Sequence, residues 1–423
     1  MVLVVCLGLI GRVVQGGLFG DDSTTASSTS TTAKKAGKQV GKAVKSAYKS
    51  TKGPATVLLN KGTTKTGTGK VTFSAVGDNL ANKNILELAD AQAGATDDGT
   101  YNFKPFYKNV KKVIKSYDIS FVNQETTLGG DDAYGYNGYP SYNTPDSMAD
   151  AVASVGWDVV SCNTNHTYDT WTNSIEHSHE VWAKKKKRLL TIGSYTSEDD
   201  RDAVRVVQCN GLRIAFLSYC YGQNGYEQSD LPNDYYAVPY SQDIMKEDVA
   251  RARKVADAVV VYMHWGTEYQ NDPSDTQKTQ AQQLADEGVD LVIGSHVHVI
   301  QPMEWLNGNG GKTLVVYGMG DFLSNYQKAT YVLSGMFSCT FKRIAHPKSK
   351  KGATVTRRVK IADVVWHPMV EHWEGNSDTV RFLKGYTDKE ARANELTTNV
   401  DDPLAWLKQQ TRDVIGSDFT IDM

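Results

Sequence analysis

From Val71 onward short apolar runs alternate with amphipathic stretches, the pattern of an α/β sheet with crossover helices. Strands are predicted at 71–77, 118–123, 158–163, 257–263 and 290–295, and helix-like segments at 104–116, 145–155, 244–255 and 276–287. Each strand closes on a residue able to bind a ligand. The first runs into Asp78-Asn79, the second into Gln124-Glu125 and the third into Thr164-Asn165-His166. The fourth ends at His264 and the fifth at His296-Val297-His298. In open α/β sheets ligands bind at the carboxyl ends of the strands.

The beginning of the chain reads differently. Met1–Ile10 is an uncharged apolar run followed by Gly11-Arg12, which fits the core of a secretory signal and is short for a membrane span of about 20 residues. Cys6 makes a poor lipoprotein cysteine, because Val5 is large for the position before it. Residues 1–20 are therefore read as a signal-like or anchor segment that exports the chain and holds it at the membrane. Residues 21–70 are rich in Ser, Thr, Ala, Lys and Gly and are read as a disordered, flexible tether. Residues 71–375 form the expected folded domain. Residues 376–423 are expected to be a helical extension packed on it, with Asp402-Pro403 as cap and first turn of a helix.

Composition narrows the function. The 423 residues carry 46 Lys+Arg and 48 Asp+Glu, net −2. Residues 1–70 hold Arg12 and ten Lys against Asp21 and Asp22, so the folded part is acidic, which excludes a nucleic-acid groove built on basic residues. Five Cys without CxxC spacing define neither a zinc ribbon nor a disulfide framework. Carboxylate, amide oxygen and neutral imidazole at five strand ends are instead the donors of divalent manganese, zinc or iron. The competing reading is a hydrogen-bonded polar cluster.

Six stretches carry a family likeness: FSAVGDNL (73–80), FVNQETTLG (121–129), YPSYNTPDSMADAVASVGWDVVSCNTNHTYD (139–169), VVVYMHWGTEYQ (259–270), LVIGSHVHVIQPMEW (291–305) and LVVYGMGDFLSN (314–325). In these the chain resembles the bacterial capsule-synthesis CapA family, associated with poly-γ-glutamate production, whose domain is similar to the calcineurin-like metallophosphatases. VVWHPMV (364–370) looks like the strand that closes that domain. The resemblance implies a four-layer αββα sandwich with one or two divalent metals. It makes Asp78 a ligand of the first metal and Glu125, in place of the usual aspartate, the carboxylate shared by both. Asn165, His264 and His296 would hold the second metal, and His298 would return to the first. His166 matches the proton donor to the leaving group, with Asp169 spaced to orient it. The two metals would stand about 3.5–4 Å apart and bind the scissile group and an attacking hydroxide.

Two positions depart from that pattern. Leu80 stands where a metallophosphatase has the imidazole of its DxH motif, so the first metal is expected to bind less tightly. Asp321 replaces the usual Asn in Gly320-Asp321-Phe322, where it either adds charge to the site or caps a turn. Asn79 and Glu268 are expected behind the ligands, Glu268 orienting an imidazole. The implied substrate is a phosphoester or an anionic polymer such as a γ-glutamyl chain, and membrane proteins of capsule synthesis are possible partners. The alternative is a binder that holds polymer carboxylates on its metal without cleaving them.

The remaining motifs admit plainer readings. The basic run 184–188 is a solvated helix end or a docking site for an anionic polymer. His177 and His179 point to different helix faces and are not expected to share a metal. Tyr134, Tyr136, Tyr139 and Tyr142 line a groove or pack an edge strand. Cys162 is read as a small core residue rather than a nucleophile.

Overall fold

The computed structural model describes residues 53–62, 68–131 and 134–423. The signal-like segment and the tether up to residue 52 lie outside the described residues. Two β-sheets follow from the alternating runs. In the first, β1 (Thr56–Asn60), β6 (Val204–Cys209), β7 (Leu212–Cys220), β8 (Ala258–His264), β9 (Leu291–Ser295), β11 (Gly311–Val316) and β10 (Met303–Gly308) succeed one another. In the second the order is β15 (Ser377–Phe382), β14 (Val359–Glu374), β13 (Leu333–Arg343), β2 (Lys70–Asn79), β3 (Ile119–Gln124), β4 (Val159–Ser161) and β5 (Leu190–Ile192). β12 (Asp321–Leu323) pairs with β2, and β16 (Thr420–Ile421) pairs with β14.

The sheets pack face to face because alternate residues of both are apolar. Phe73 and Phe121 of the second sheet meet Phe216 and Tyr262 of the first, with ring centroids 6.1 and 5.2 Å apart. The outer face of the second sheet, through Val76, Val122 and Val160, is covered by Ile85, Met148, Val152 and Trp182. Val259, Val261 and Val292 of the first sheet pack on Met245, Val249 and Leu284. Helix, sheet, sheet and helix make the four layers of the expected αββα sandwich.

The helices at Ser147–Val155, Gln242–Val255 and Asp275–Asp286 lie where the apolar periodicity predicts them. The segment 104–116 is not one helix: Pro105 opens a 3₁₀ turn at Lys104–Tyr107, and a single α-turn follows at Lys111–Ile114.

Two boundaries move. The tether does not reach residue 70, since Thr56–Asn60 is an edge strand parallel to β6 with Leu59 buried. Its three apolar residues, Val57, Leu58 and Leu59, stand in a Ser/Thr/Lys-rich context, and their partner lies about 150 residues away, so local composition conceals them. Nor is 376–423 a helical appendage. β15 forms a hairpin with β14, β16 lies beside β14, and Leu407 and Ile415 of the helix Pro403–Ile415 belong to the inter-sheet core. The cap is as expected, with the Asp402 side chain accepting from the Ala405 amide.

That hairpin carries a buried carboxyl pair. Glu371 accepts from the amides of Ser324 and Asn325 at 3.0 and 2.9 Å, and Asp378 accepts from the Asn325 side chain. Burial lifts the Asp378 carboxyl to about 7, and burial together with Asp378 lifts Glu371 well above the carboxylate range. The folded chain therefore binds a proton that the unfolded chain releases near pH 4, so this contribution to stability falls as pH rises from about 4 to 7. Urea unfolding between pH 5 and 7.5 is expected to show that fall, and Asp378→Asn, which can still accept from Asn325, to flatten it by about 2 kcal/mol. An equally steep fall in the variant would remove the pair as its source.

Candidate metal centre

The parallel strands of both sheets end along one edge, and their final side chains converge there. Asp78 stands at the end of β2, with no measurable exposure. Its aim is set by a β-bulge: β2 and β3 stay in register to Val76–Val122, then Asp78 rather than Gly77 pairs with Asn123. Phe73 and Ala75 face the inter-sheet core, so without the bulge residues 77 and 79 would do so too. With it, Asp78 turns into the site and Asn79 turns away. Asn79, expected behind the ligands, instead donates to Gln124 Oε1 at 2.8 Å and accepts from Tyr107 at 2.7 Å on the opposite face.

Gly77 makes the bulge possible, because a Cβ there would lie 1.9 Å from the carbonyl oxygen of Gly320. Gly77→Val is expected to destabilise the chain by about 1–3 kcal/mol through this overpacking and to lose metal by misdirecting Asp78. Unfolding curves and elemental analysis check it; a wild-type metal content would refute the aiming role.

The carboxylate of Asp78 is held at both oxygens, by Asn123 Nδ2 at 2.7 Å and by the His296 amide at 3.0 Å. Glu125 follows β3, one residue beyond Gln124. Asn165 and His166 lie in the turn after β4. His264 is the last residue of β8, where Tyr262 holds its Nδ1 at 2.9 Å and Nε2 faces Asn165 Oδ1 at 2.7 Å and Glu125 Oε1 at 3.7 Å. His296 and His298 sit not on a strand but in the turn after β9, with φ of 98° and 59°. Such positive φ values are costly for non-glycine residues and are concentrated at functional sites.

Three ligand groups result among the described residues, of which two are fully buried and share no residue, the third being Glu268, His296 and His298. Glu125, His264 and His296 bring one donor atom each within 4.8 Å of one another, and so do Asp78, His298 and Asp321. These groups separate Asp78 and His298 from His264 and His296, add Asp321 to the first pair, and place Glu125, expected to be shared, with the second. Asp321 does not merely cap a turn: it is fully buried and accepts from His298 Nδ1 at 2.8 Å. Glu268 is exposed and lies beside the imidazoles of His296 and His298. The His264 ring is held by Tyr262.

The donor set fits divalent metal. Both carboxylate oxygens of Glu125, Nδ1 of His296 and Oδ2 of Asp321 are buried without a hydrogen-bond partner. Such atoms are costly unless a cation takes them. Burial, and then the other histidines, hold His264 and His296 far below the usual imidazole range, so both are neutral and able to ligate at pH 7. Burial, with Asp78 and Asp321 nearby, pushes the Glu125 carboxyl up. Burial disfavours charge on His298 too, but Asp321 and Asp78 overcome it and raise that imidazole to about 9.

Beside the ligands His166 Nδ1 meets Asp169 Oδ2 at 2.7 Å, and the same oxygen accepts from the Tyr142 amide at 2.7 Å. The Tyr142 ring stands edge-on to His166, 4.7 Å between centroids. Tyr221 and Tyr269 lie over His296 and His298 at 4.6 and 5.6 Å, so aromatic rings collar the mouth. Of the four tyrosines before the third strand only Tyr142 reaches the site; Tyr139 is exposed and Tyr136 packs on Tyr101. His177 and His179 go to separate partners, Asp146 and Ser194. Burial pushes the Cys162 thiol up to about 12, as suits an unactivated core residue. The basic run follows the end of the helix Trp171–Ala183, and Lys185 pairs with Asp150. Asn123 and Tyr262, which hold ligands from behind, were not singled out from sequence, although both precede a ligand by two on its own strand face.

The chain is thus a two-sheet α/β sandwich with carboxylate and histidine clusters at one edge, donor groups able to hold a metal ion. The model of the family described as bacterial capsule synthesis protein PGA_cap matches residues 72–326, and the chain belongs to that family. It is 31% identical over 165 residues to the PGA biosynthesis protein CapA of Bacillus subtilis (strain 168), covering 39% of this chain and 42% of that protein. With the capsule biosynthesis protein CapA of Bacillus anthracis it shares 24% over 265 residues, 60% of each. The chain thus matches about half the length of these relatives. Among solved structures, a putative 5'-nucleotidase from Staphylococcus aureus aligns at a TM-score of 0.39 and 12% identity, over 69% of this chain and 54% of that one. The NAD nucleotidase of Haemophilus influenzae aligns at 0.40 and 11%, over 82% and 59%.

Proposed function

We propose that this protein takes part in capsule or poly-γ-glutamate assembly at the cell surface, exported and tethered by its N-terminal segment, and that its site hydrolyses or transfers a phosphoester or a γ-glutamyl chain. Membership of the capsule-synthesis family supports the biological setting. The chemistry rests on one observation: six ligand-type side chains, Asp78, Glu125, Asn165, His264, His296 and His298, converge beside an oriented His166–Asp169 pair. One or two divalent metals of the manganese, zinc or iron kind would be held there, supplying Lewis acidity and a hydroxide nucleophile.

The chain's own residues do the rest. Asp169 accepts from Nδ1–H of His166 and fixes the ring, leaving Nε2 as the atom that would hand a proton to the leaving group. Tyr142 fixes the ring edge-on, and its amide holds Asp169 in place. Tyr262 and Asn165 set the His264 ring. Among the described residues no helix is long and apolar enough to cross a membrane, so attachment through the first twenty residues is part of the proposal.

Leu80, buried where an imidazole would complete the first metal's ligands, favours a second reading, a binder that holds polymer carboxylates on its metal. His166→Ala separates the two. An enzyme loses turnover on alkyl phosphodiesters or poly-γ-glutamate while still binding the polymer; equal polymer binding and unchanged activity would sink the catalytic role.

A further inference from the structure

β12 lies parallel to β2 with Asp321 directly opposite Asp78, so two fully buried carboxylates occupy one rung of the sheet. Like charges opposed across a ladder repel. The Gly320 carbonyl, accepting from the Asp78 amide at 3.2 Å, ties the two strands together at this point. The ion pair that Asp321 makes is with His298 through Oδ1, and its Oδ2 has no donor. Asp78, His298 and Asp321 nevertheless bring three donor atoms within 4.8 Å of one another.

We propose that Asp321 is itself a ligand of the first metal: its Oδ2 takes the coordination position that Leu80 leaves without an imidazole, while its Oδ1 orients His298. The inference rests on the metal-site reading above. Donation from Nδ1–H to Oδ1 leaves the lone pair of His298 on Nε2, as carboxylate–histidine–metal arrangements require. Asp78, Asp321 and one imidazole make this the harder position, suited to Mn²⁺; two imidazoles and an amide oxygen beside Glu125 make the second softer. The carboxylate thus replaces the missing ligand with one of different hardness.

The test uses the full chain with Mn²⁺ alone as probe, read by equilibrium dialysis with elemental analysis and by low-temperature electron paramagnetic resonance. Wild type is expected to take two equivalents with an exchange-coupled signal. Asp321→Asn keeps an oxygen that can accept from His298 but loses the anionic donor. Its first-position equivalent should weaken by more than about 100-fold, beyond what residues that only orient ligands cost, leaving the signal of isolated Mn²⁺. Without metal the variant should be at least as stable as wild type, because a like-charge contact is gone, and Mn²⁺ should raise its Tm less. Two coupled equivalents at wild-type affinity, or a weakening under about tenfold, would overturn the ligand role. His296→Ala, run alongside, should lose the second equivalent alone. A wild type that takes up no Mn²⁺ would overturn the metal-site reading and this inference with it.

Discussion

Dialysis of the full chain against a chelator is expected to abolish turnover and to lower the unfolding free energy by about 4 kcal/mol, the linkage for a ligand supplied at a thousand times its dissociation constant. The size of the effect comes from burial. Asp78, Glu125 and Asp321 are at most 1% exposed, and the ion pairs of Glu125 and Asp321 are with His264 and His298 rather than with Lys or Arg. Removing the cation leaves three carboxyl groups in a space that water does not reach, and they must take up protons or repel. His264→Ala should reproduce the loss of activity and release about one metal per chain, because it removes the ring that faces both Asn165 and Glu125. Elemental analysis and thermal unfolding check both. An unchanged Tm after chelation, with activity retained, would reduce the cluster to a hydrogen-bonded polar core.

His166→Asn is expected to lower kcat by about 10²–10⁴-fold, the range for loss of a positioned general acid, while the bound metal stays at the wild-type level. His166 belongs to none of the three-residue ligand groups, and its Nδ1 is engaged by Asp169. A proton donor matters most where the leaving group is poor. The loss should therefore be greatest for alkyl phosphoesters and small for p-nitrophenyl esters, whose leaving anion needs no proton. Asp169→Asn should show the same dependence more weakly, with KM unchanged, because the amide still accepts from Tyr142 but is a weaker acceptor for Nδ1–H of His166. A uniform loss across leaving groups would make His166 a positioning residue instead.

The sheet strands and most site residues were legible in the sequence because both signals are local. An apolar run of five to seven residues reads as a buried strand whatever it pairs with, and Asp78, Glu125, Asn165, His264 and His296 each stand at or just past such a run. His166 and Asp169, three apart, lie within reach in a single turn, as their 2.7 Å contact bears out. What failed was whatever depends on a distant partner. β1 is stabilised by β6, and β15 and β16 complete a sheet whose other strands lie far away in sequence.

The pattern of residues by itself determined an α/β class, the edge at which chemistry gathers and the donor types present, because strand periodicity and residue chemistry are properties of short segments; the αββα layering was implied only by the family resemblance. Only the tertiary structure decided which donors meet. The bulge at Gly77 sends Asp78 inward and Asn79 outward, a one-residue change of register that alternation alone cannot anticipate. Strand β12 lays Asp321 against Asp78 across 243 positions of chain, and the turn after β9 aims His296 and His298 through backbone angles that side-chain identity does not encode. These are long-range packing outcomes, fixed when two sheets close on each other, and they turn a row of polar strand ends into two neighbouring ligand groups.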